Sequence, residues 1–122
     1  MRIALSIWND RISPVFDTSC TLLIVDLENG LEDRRTEVLI DNIPFINRAA
    51  KLKELKIEIL LCGAISRQLT FLINSSGIEI IAFLTGEIEQ VLKAFLNDRL
   101  PNPRFLMPGC CKRRRRFRGG FF

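Results

Sequence analysis

The stretch that decides the fold runs from Ile57-Glu58-Ile59-Leu60-Leu61-Cys62-Gly63 through Ile65, Leu69, Leu72 and Ile73 to Gly77. It continues as Ile78-Glu79-Ile80-Ile81-Ala82-Phe83. Ile57 to Cys62 and Ile78 to Phe83 are apolar runs of strand length. Between them Ile65, Leu69, Leu72 and Ile73 mark a helix stripe that Gly77 stops. A third helix follows, with Thr85 as its cap and Ile88, Val91, Leu92, Phe95 and Leu96 as its apolar face. Glu87 and Glu89 fall in its first turn, where the helix dipole favours them. Successive strand–helix units force parallel strands joined by right-handed crossovers.

Upstream the pattern differs. Arg2 to Trp8 alternates Ile3, Leu5 and Ile7 against Ala4 and Ser6, a buried strand. Asn9 to Asp17 reads as a loop. Cys20 to Leu27 is a nearly continuous apolar strand, and Asn29-Gly30 supplies a tight turn, so Leu31 to Ile40 returns as a hairpin partner. The charges of Glu32-Asp33-Arg34-Arg35 suit an exposed edge. After Pro44, the spacing of Phe45, Ala49, Leu52 and Leu55 predicts a first helix. The order β-β-β-α-β-α-β-α predicts an α/β domain with a five-stranded mixed sheet and helices on both faces. The most apolar strands belong in the middle, which gives the order 3-2-1-4-5 with strand 2 antiparallel.

With 122 residues and 48% hydrophobic content, the chain suits one globular domain. No apolar run reaches the ~18 residues of a membrane span, and the first residues lack a signal-peptide pattern, so a cytoplasmic location is expected. Histidine and tyrosine are absent, which excludes histidine acid–base catalysis, serine–histidine–aspartate hydrolysis and histidine-containing zinc sites. The net charge of +4 is unevenly distributed. Residues 1–98 carry 10 basic and 14 acidic side chains, a net of −4, whereas residues 99–122 carry 8 basic and no acidic ones. The expected organisation is a folded domain over residues 1–100 and a flexible Cys/Arg-rich tail over residues 101–122, broken by Pro101, Pro103 and Pro108.

In an open α/β sheet, ligands sit at the carboxyl ends of the strands where the connection order reverses. That place lies between strands 1 and 4, where the loops Asn9 to Asp17, Cys62-Gly63-Ala64 and Leu84-Thr85-Gly86 converge. Gly63 and Gly86 either admit a ligand close to the backbone or only permit tight turns. Cys62, facing helix N-termini at a strand end, is a candidate metal ligand, its alternative being a small packed hydrophobe. Cys20 starts a strand distant from those loops and reads as packing. Cys110 and Cys111 lie beside cationic residues that lower thiol pKa, and with Cys62 as a third ligand they suit a soft metal. No Cys-x-x-Cys pair exists, so a zinc ribbon has no support. The run Lys112 to Arg118, with only Phe117 interleaved, fits nucleic acid, an acidic protein face or an anionic ligand.

The segments Met1-Arg2-Ile3-Ala4, Arg11-Ile12-Ser13-Pro14-Val15-Phe16-Asp17, Leu61-Cys62-Gly63-Ala64-Ile65-Ser66 and Leu84-Thr85-Gly86-Glu87, in that order, resemble the dinitrogenase iron–molybdenum cofactor biosynthesis family. The resemblance spans roughly residues 1–97. It implies an RNase H-like motif and a small, cytoplasmic, non-catalytic nitrogenase accessory factor that binds or carries an iron–sulfur or iron–molybdenum–sulfur cluster or its precursor. It carries the binding role to Ser13, Phe16, Asp17, Gly63, Ala64, Ser66, Thr85 and Gly86. Backbone amides at Gly63, Ala64 and Gly86 would meet the cluster sulfurs, and Arg113 and Arg114 would offset its charge. Without histidine, the metal ligands fall to Cys62, Cys110 and Cys111. The expected partners are cluster donor or acceptor proteins. The alternative is a nucleic-acid or protein-binding module acting through the basic tail, with non-specific, salt-sensitive nucleic-acid binding and no membrane contact. Nuclease activity is not expected, because strand 1 carries no carboxylate and strand 4 ends in Cys62.

Overall fold

A strand whose alternate residues both face apolar layers must be covered on both sides, and the first strand shows how this is done. In the computed structural model of the chain, which describes residues 1–97 and 116–117, β1 (Arg2–Trp8) buries Ile3 and Leu5 on one face and Ala4 on the other. Its neighbours are β3 (Thr21–Glu28), antiparallel, and β5 (Ile59–Leu61), parallel. Beyond β3 lies β4 (Leu31–Leu39), antiparallel to β3, and beyond β5 lies β6 (Glu79–Ile81), parallel to β5. The sheet order is β4-β3-β1-β5-β6-β7, with β7 (Arg116–Phe117) antiparallel on the far edge and β2 (Arg11–Ile12) folded back against β1.

The sheet is therefore mixed, and among the described residues it holds seven strands rather than five. The extra inner strand arises because Asn9 and Asp10 form a two-residue turn, both with positive φ (50° and 60°), between Trp8 and its partner Arg11. Asn and Asp tolerate that left-handed backbone, so the expected loop begins as a hairpin. The β3–β4 turn has the same form, with Asn29 and Gly30 at φ 54° and 78°.

The helices divide between the faces. Helix α3 (Ile88–Leu96) lays Ile88, Val91 and Leu92 over Ile3, Leu5, Leu23, Val25, Ile59 and Leu61. Helices α1 (Arg48–Glu54) and α2 (Arg67–Ser75) cover the other face, where Ala49, Leu52, Leu69 and Ile73 meet Ala4, Leu22, Ile24, Leu60 and Ile80. Gly77 at φ 86° reverses the chain after α2. Thr85 does not cap α3. The N-cap is Glu87, whose side chain makes no capping bond, and the Ile88 N–H is instead satisfied by the Asp10 carbonyl. No helix among the described residues is long and apolar enough to cross a membrane. The expected boundary near Leu100 lies outside the described residues.

Candidate functional site

The connections leaving β1, β5 and β6 are stitched to one another by backbone hydrogen bonds. Ala64 N–H donates to the Pro14 carbonyl and Phe16 N–H to the Ala64 carbonyl, both at 2.8 Å. Phe83 N–H donates to the Gly63 carbonyl and Leu84 N–H to the Cys62 carbonyl. Ile12 N–H donates to the Gly86 carbonyl at 3.0 Å. The three loops thus meet at one rim, where their backbone groups satisfy one another.

That stitching corrects several expectations. The Ala64 amide is consumed by Pro14 and is not free to meet a cluster sulfur. Phe16 is fully buried, its ring packed in the core beneath α1 and α2, so it supports the rim from below rather than touching a ligand. Ser13 is buried, its Oγ 3.4 Å from the Val15 carbonyl and its N–H bonded to Ser6. Asp17 Oδ1 accepts from the Ser66 N–H at 2.9 Å, and Ser66 Oγ accepts from the Leu69 N–H at 3.2 Å, so both residues terminate α2. Gly63 is buried. Asp17, Ala64, Ser66, Thr85 and Gly86 are the expected residues that keep partial exposure along the rim. Gly86 has φ 128°, a backbone angle that excludes a larger residue without strain.

The largest correction concerns Cys62. It is 0% exposed and packs among Ala4, Phe16, Leu60, Leu69 and Ala82 in the layer under α1 and α2. Burial pushes its thiol pKa well up, and the negative field of Asp17 adds to the shift. A neutral, sealed thiol is neither nucleophile nor metal ligand, so Cys62 is a core residue. No group of three or more Cys, Asp or Glu placed to hold a metal occurs among the described residues. Cys110, Cys111, Arg113 and Arg114 lie outside the described residues. Cys20, expected as packing far from the rim, is exposed and at the rim end, because the antiparallel register sets its neighbour Thr21 opposite Ile7.

Arg48 and the Ser6–Ser19 pair, all three buried, brace the rim, and none belongs to the motifs read from the sequence. Arg48, 6% exposed, donates from Nη1 to the carbonyls of Phe16 (3.0 Å) and Ser19 (2.7 Å) and from Nη2 to Ile40 (3.1 Å). Its guanidinium also stands 5.8 Å from the Phe16 ring centroid. Desolvation lowers its pKa, opposed by the fields of Cys20, Asp17 and Asp41. Ser6 and Ser19, both buried, share an Oγ–Oγ hydrogen bond of 2.8 Å. The signal for Arg48 was its place in the stripe Arg48, Leu52, Leu55.

Beside the rim, on the α3 face, a cleft of about 830 Å³ opens between the β1–β2 turn, β4 and the start of α3. Ile7 and Leu23 form apolar parts of its lining, and Asp10, Arg11, Arg35, Glu37, Glu87 and Glu89 contribute charge. Arg35 spans it, bonding Glu89 on α3 and Glu32 on its own strand.

No family model and no curated protein sequence matches the chain. Solved structures do. The crystal structure of PH0822 is 25% identical with a TM-score of 0.77, covering 81% of this chain and 91% of that one. The crystal structure of a "putative dinitrogenase" from Methanocaldococcus jannaschii (MJ0327) is 21% identical with a TM-score of 0.68, covering 84% and 97%. The NMR structure of a "putative NifB protein" from Thermotoga (TM1290), of the DUF35 family, is 20% identical with a TM-score of 0.65, covering 80% and 89%. The chain has the fold of these proteins over nearly their full length.

Proposed function

We propose that this protein is a non-catalytic, nitrogenase-associated accessory domain that carries a metal–sulfur cluster of iron–sulfur or iron–molybdenum type, or its precursor, as cargo. The names of two proteins that share the fold support the nitrogenase association, as do the four sequence segments that resemble the cofactor-biosynthesis family. With Cys62 sealed in the core, the thiolate ligands of this reading are Cys110 and Cys111. Partners would be the proteins that donate or accept the cluster.

The observation that carries the reading is the direction of β7. Arg116 pairs with Ile81, the last residue of β6, and Phe117 pairs with Ile80, so β7 enters from the rim end of the sheet. Cys111 precedes Arg116 by five residues, and a fully extended chain of that length reaches at most ~18 Å. Covalent reach therefore keeps Cys111 within that distance of Arg116, whose partner Ile81 lies a few residues before the loop of Thr85 and Gly86, and four arginines and a lysine are close by in sequence. Cationic neighbours favour thiolate over thiol and offset the charge of an anionic cluster.

Anaerobic reconstitution with iron and sulfide tests this. The wild type is expected to gain charge-transfer absorption, Cys62→Ala to retain it, and Cys110→Ala/Cys111→Ala to lose it. Absence of absorption in the wild type, or its full retention in the double variant, overturns the reading.

A further inference from the structure

The longest strand of the sheet is also an edge. All of β4 from Leu31 to Glu37 is exposed, as is Leu39, and among the described residues only β3 pairs with it. Such an edge presents a row of unpaired N–H and C=O groups, a template for another strand. We propose that a second copy of this chain docks there, the two β4 strands pairing antiparallel about a two-fold axis centred on Thr36. The proposal is independent of what the rim binds.

The register follows from charge. A two-fold axis perpendicular to the sheet preserves its faces, and residues directly opposite one another share a face, so the axis must pass through a residue and not between two. Centred on Arg34 or Arg35, it sets two guanidiniums opposite each other. Centred on Glu37, it opposes two carboxylates. Like charges directly opposite destabilise a strand pair. Centred on Thr36, it opposes two threonines, a favourable cross-strand pair, and sets Arg35 of each copy opposite Glu37 of the other. Arg35 and Glu37 share one face, since they pair with Val25 and Leu23 of β3. Arg34 then lies across from Val38, over which its aliphatic stem can extend.

Arg35 is prepared for this contact. Its guanidinium has five N–H donors. Nε and Nη2 bond Glu32, Nη2 and Nη1 bond Glu89, and one Nη1 N–H is left over. The same bonds hold the side chain in place, which lowers the entropy cost of a further contact. Glu37 has no hydrogen bond or ion pair among the described residues, so it is available as acceptor. The rims of the two copies would face opposite ends of the joined sheet, leaving each free.

Sedimentation velocity on the full chain tests the proposal. The wild type should show a monomer–dimer equilibrium somewhere between ~1 µM and 1 mM, weakened as added salt shortens the screening length. Glu37→Arg and Arg35→Glu should each sediment as monomers at concentrations where the wild type dimerises, with unchanged circular dichroism. Mixing the two variants should restore dimer as a one-to-one heterodimer, because each then supplies the charge the other lacks. A wild type that stays monomeric throughout, a Glu37→Arg variant that dimerises as the wild type does, or a mixture that forms no heterodimer overturns it.

Discussion

Replacing Arg48 by methionine removes a buried guanidinium while keeping most of the side-chain volume, so it isolates the three carbonyl contacts. Two of those carbonyls have second partners, Phe16 from the Ser19 N–H and Ile40 from the Ile43 N–H, whereas the Ser19 carbonyl depends on Arg48. Leaving that carbonyl buried and unpaired costs about 1–3 kcal/mol. The two lost secondary bonds add to this, and relief of guanidinium desolvation, aggravated in the wild type by an unpartnered Nε, subtracts from it. The net expectation is a loss of about 2–3 kcal/mol, or roughly 10–20 °C in melting temperature for a domain of this size. Urea titration reads the first quantity and a thermal melt the second. Hydrogen exchange adds a local readout, with the amides of Phe16 and Ser19 exchanging faster than those of β1 and β5. An Arg48→Met protein within ~0.5 kcal/mol of wild type would refute the reasoning, since it would mean the cation costs as much to bury as its bonds return.

Other outcomes follow from the same geometry. Cys62 has its pKa raised in the folded state, so its contribution is complete below the unfolded thiol value near 9 and is lost as pH rises above it. Stability should therefore fall above pH 9 by up to ~1.4 kcal/mol per unit, and Cys62→Ala should flatten that slope in urea melts taken between pH 8 and 11. Asp17→Ala should cost about 0.5–2 kcal/mol by freeing the Ser66 N–H at the start of α2, and combining it with Ser66→Ala should be less than additive. Arg35→Ala should cost no more than ~1 kcal/mol, because the Glu32 and Glu89 pairs are partly to largely solvent-exposed, and 1 M salt should erase most of the difference.

Periodicity carried most of the architecture. The βα succession from Ile57 to Leu96 and the Asn29-Gly30 turn are local signals, and the structure contains each of those elements. The site was less legible because side-chain direction, unlike strand position, depends on parity and on what lies above. Cys62 follows Leu60 by two residues, so it continues that residue's face into the layer covered by α1 and α2. The position of Cys20 differs from its sequence reading for a related reason. An antiparallel strand begins where its neighbour ends, so the start of β3 belongs at the rim. The amides looked available because tight turns at Gly63 and Gly86 imply free N–H groups. Only the pairing of residues 12–16 with 64 and 86 shows where the loops' hydrogen bonds go. Arg48 was hidden by its own chemistry, since a charged residue in a helix stripe is usually surface.

Iron and acid-labile sulfide, measured on protein purified without oxygen, bear most directly on the central claim that the rim and the adjacent thiols of residues 110 and 111 hold a metal–sulfur cargo. Bound iron and sulfide should accompany the wild type and Cys62→Ala, and should vanish from Cys110→Ser/Cys111→Ser while its circular dichroism is unchanged. A metal-free wild type, or a double serine variant that keeps its iron, would contradict the account.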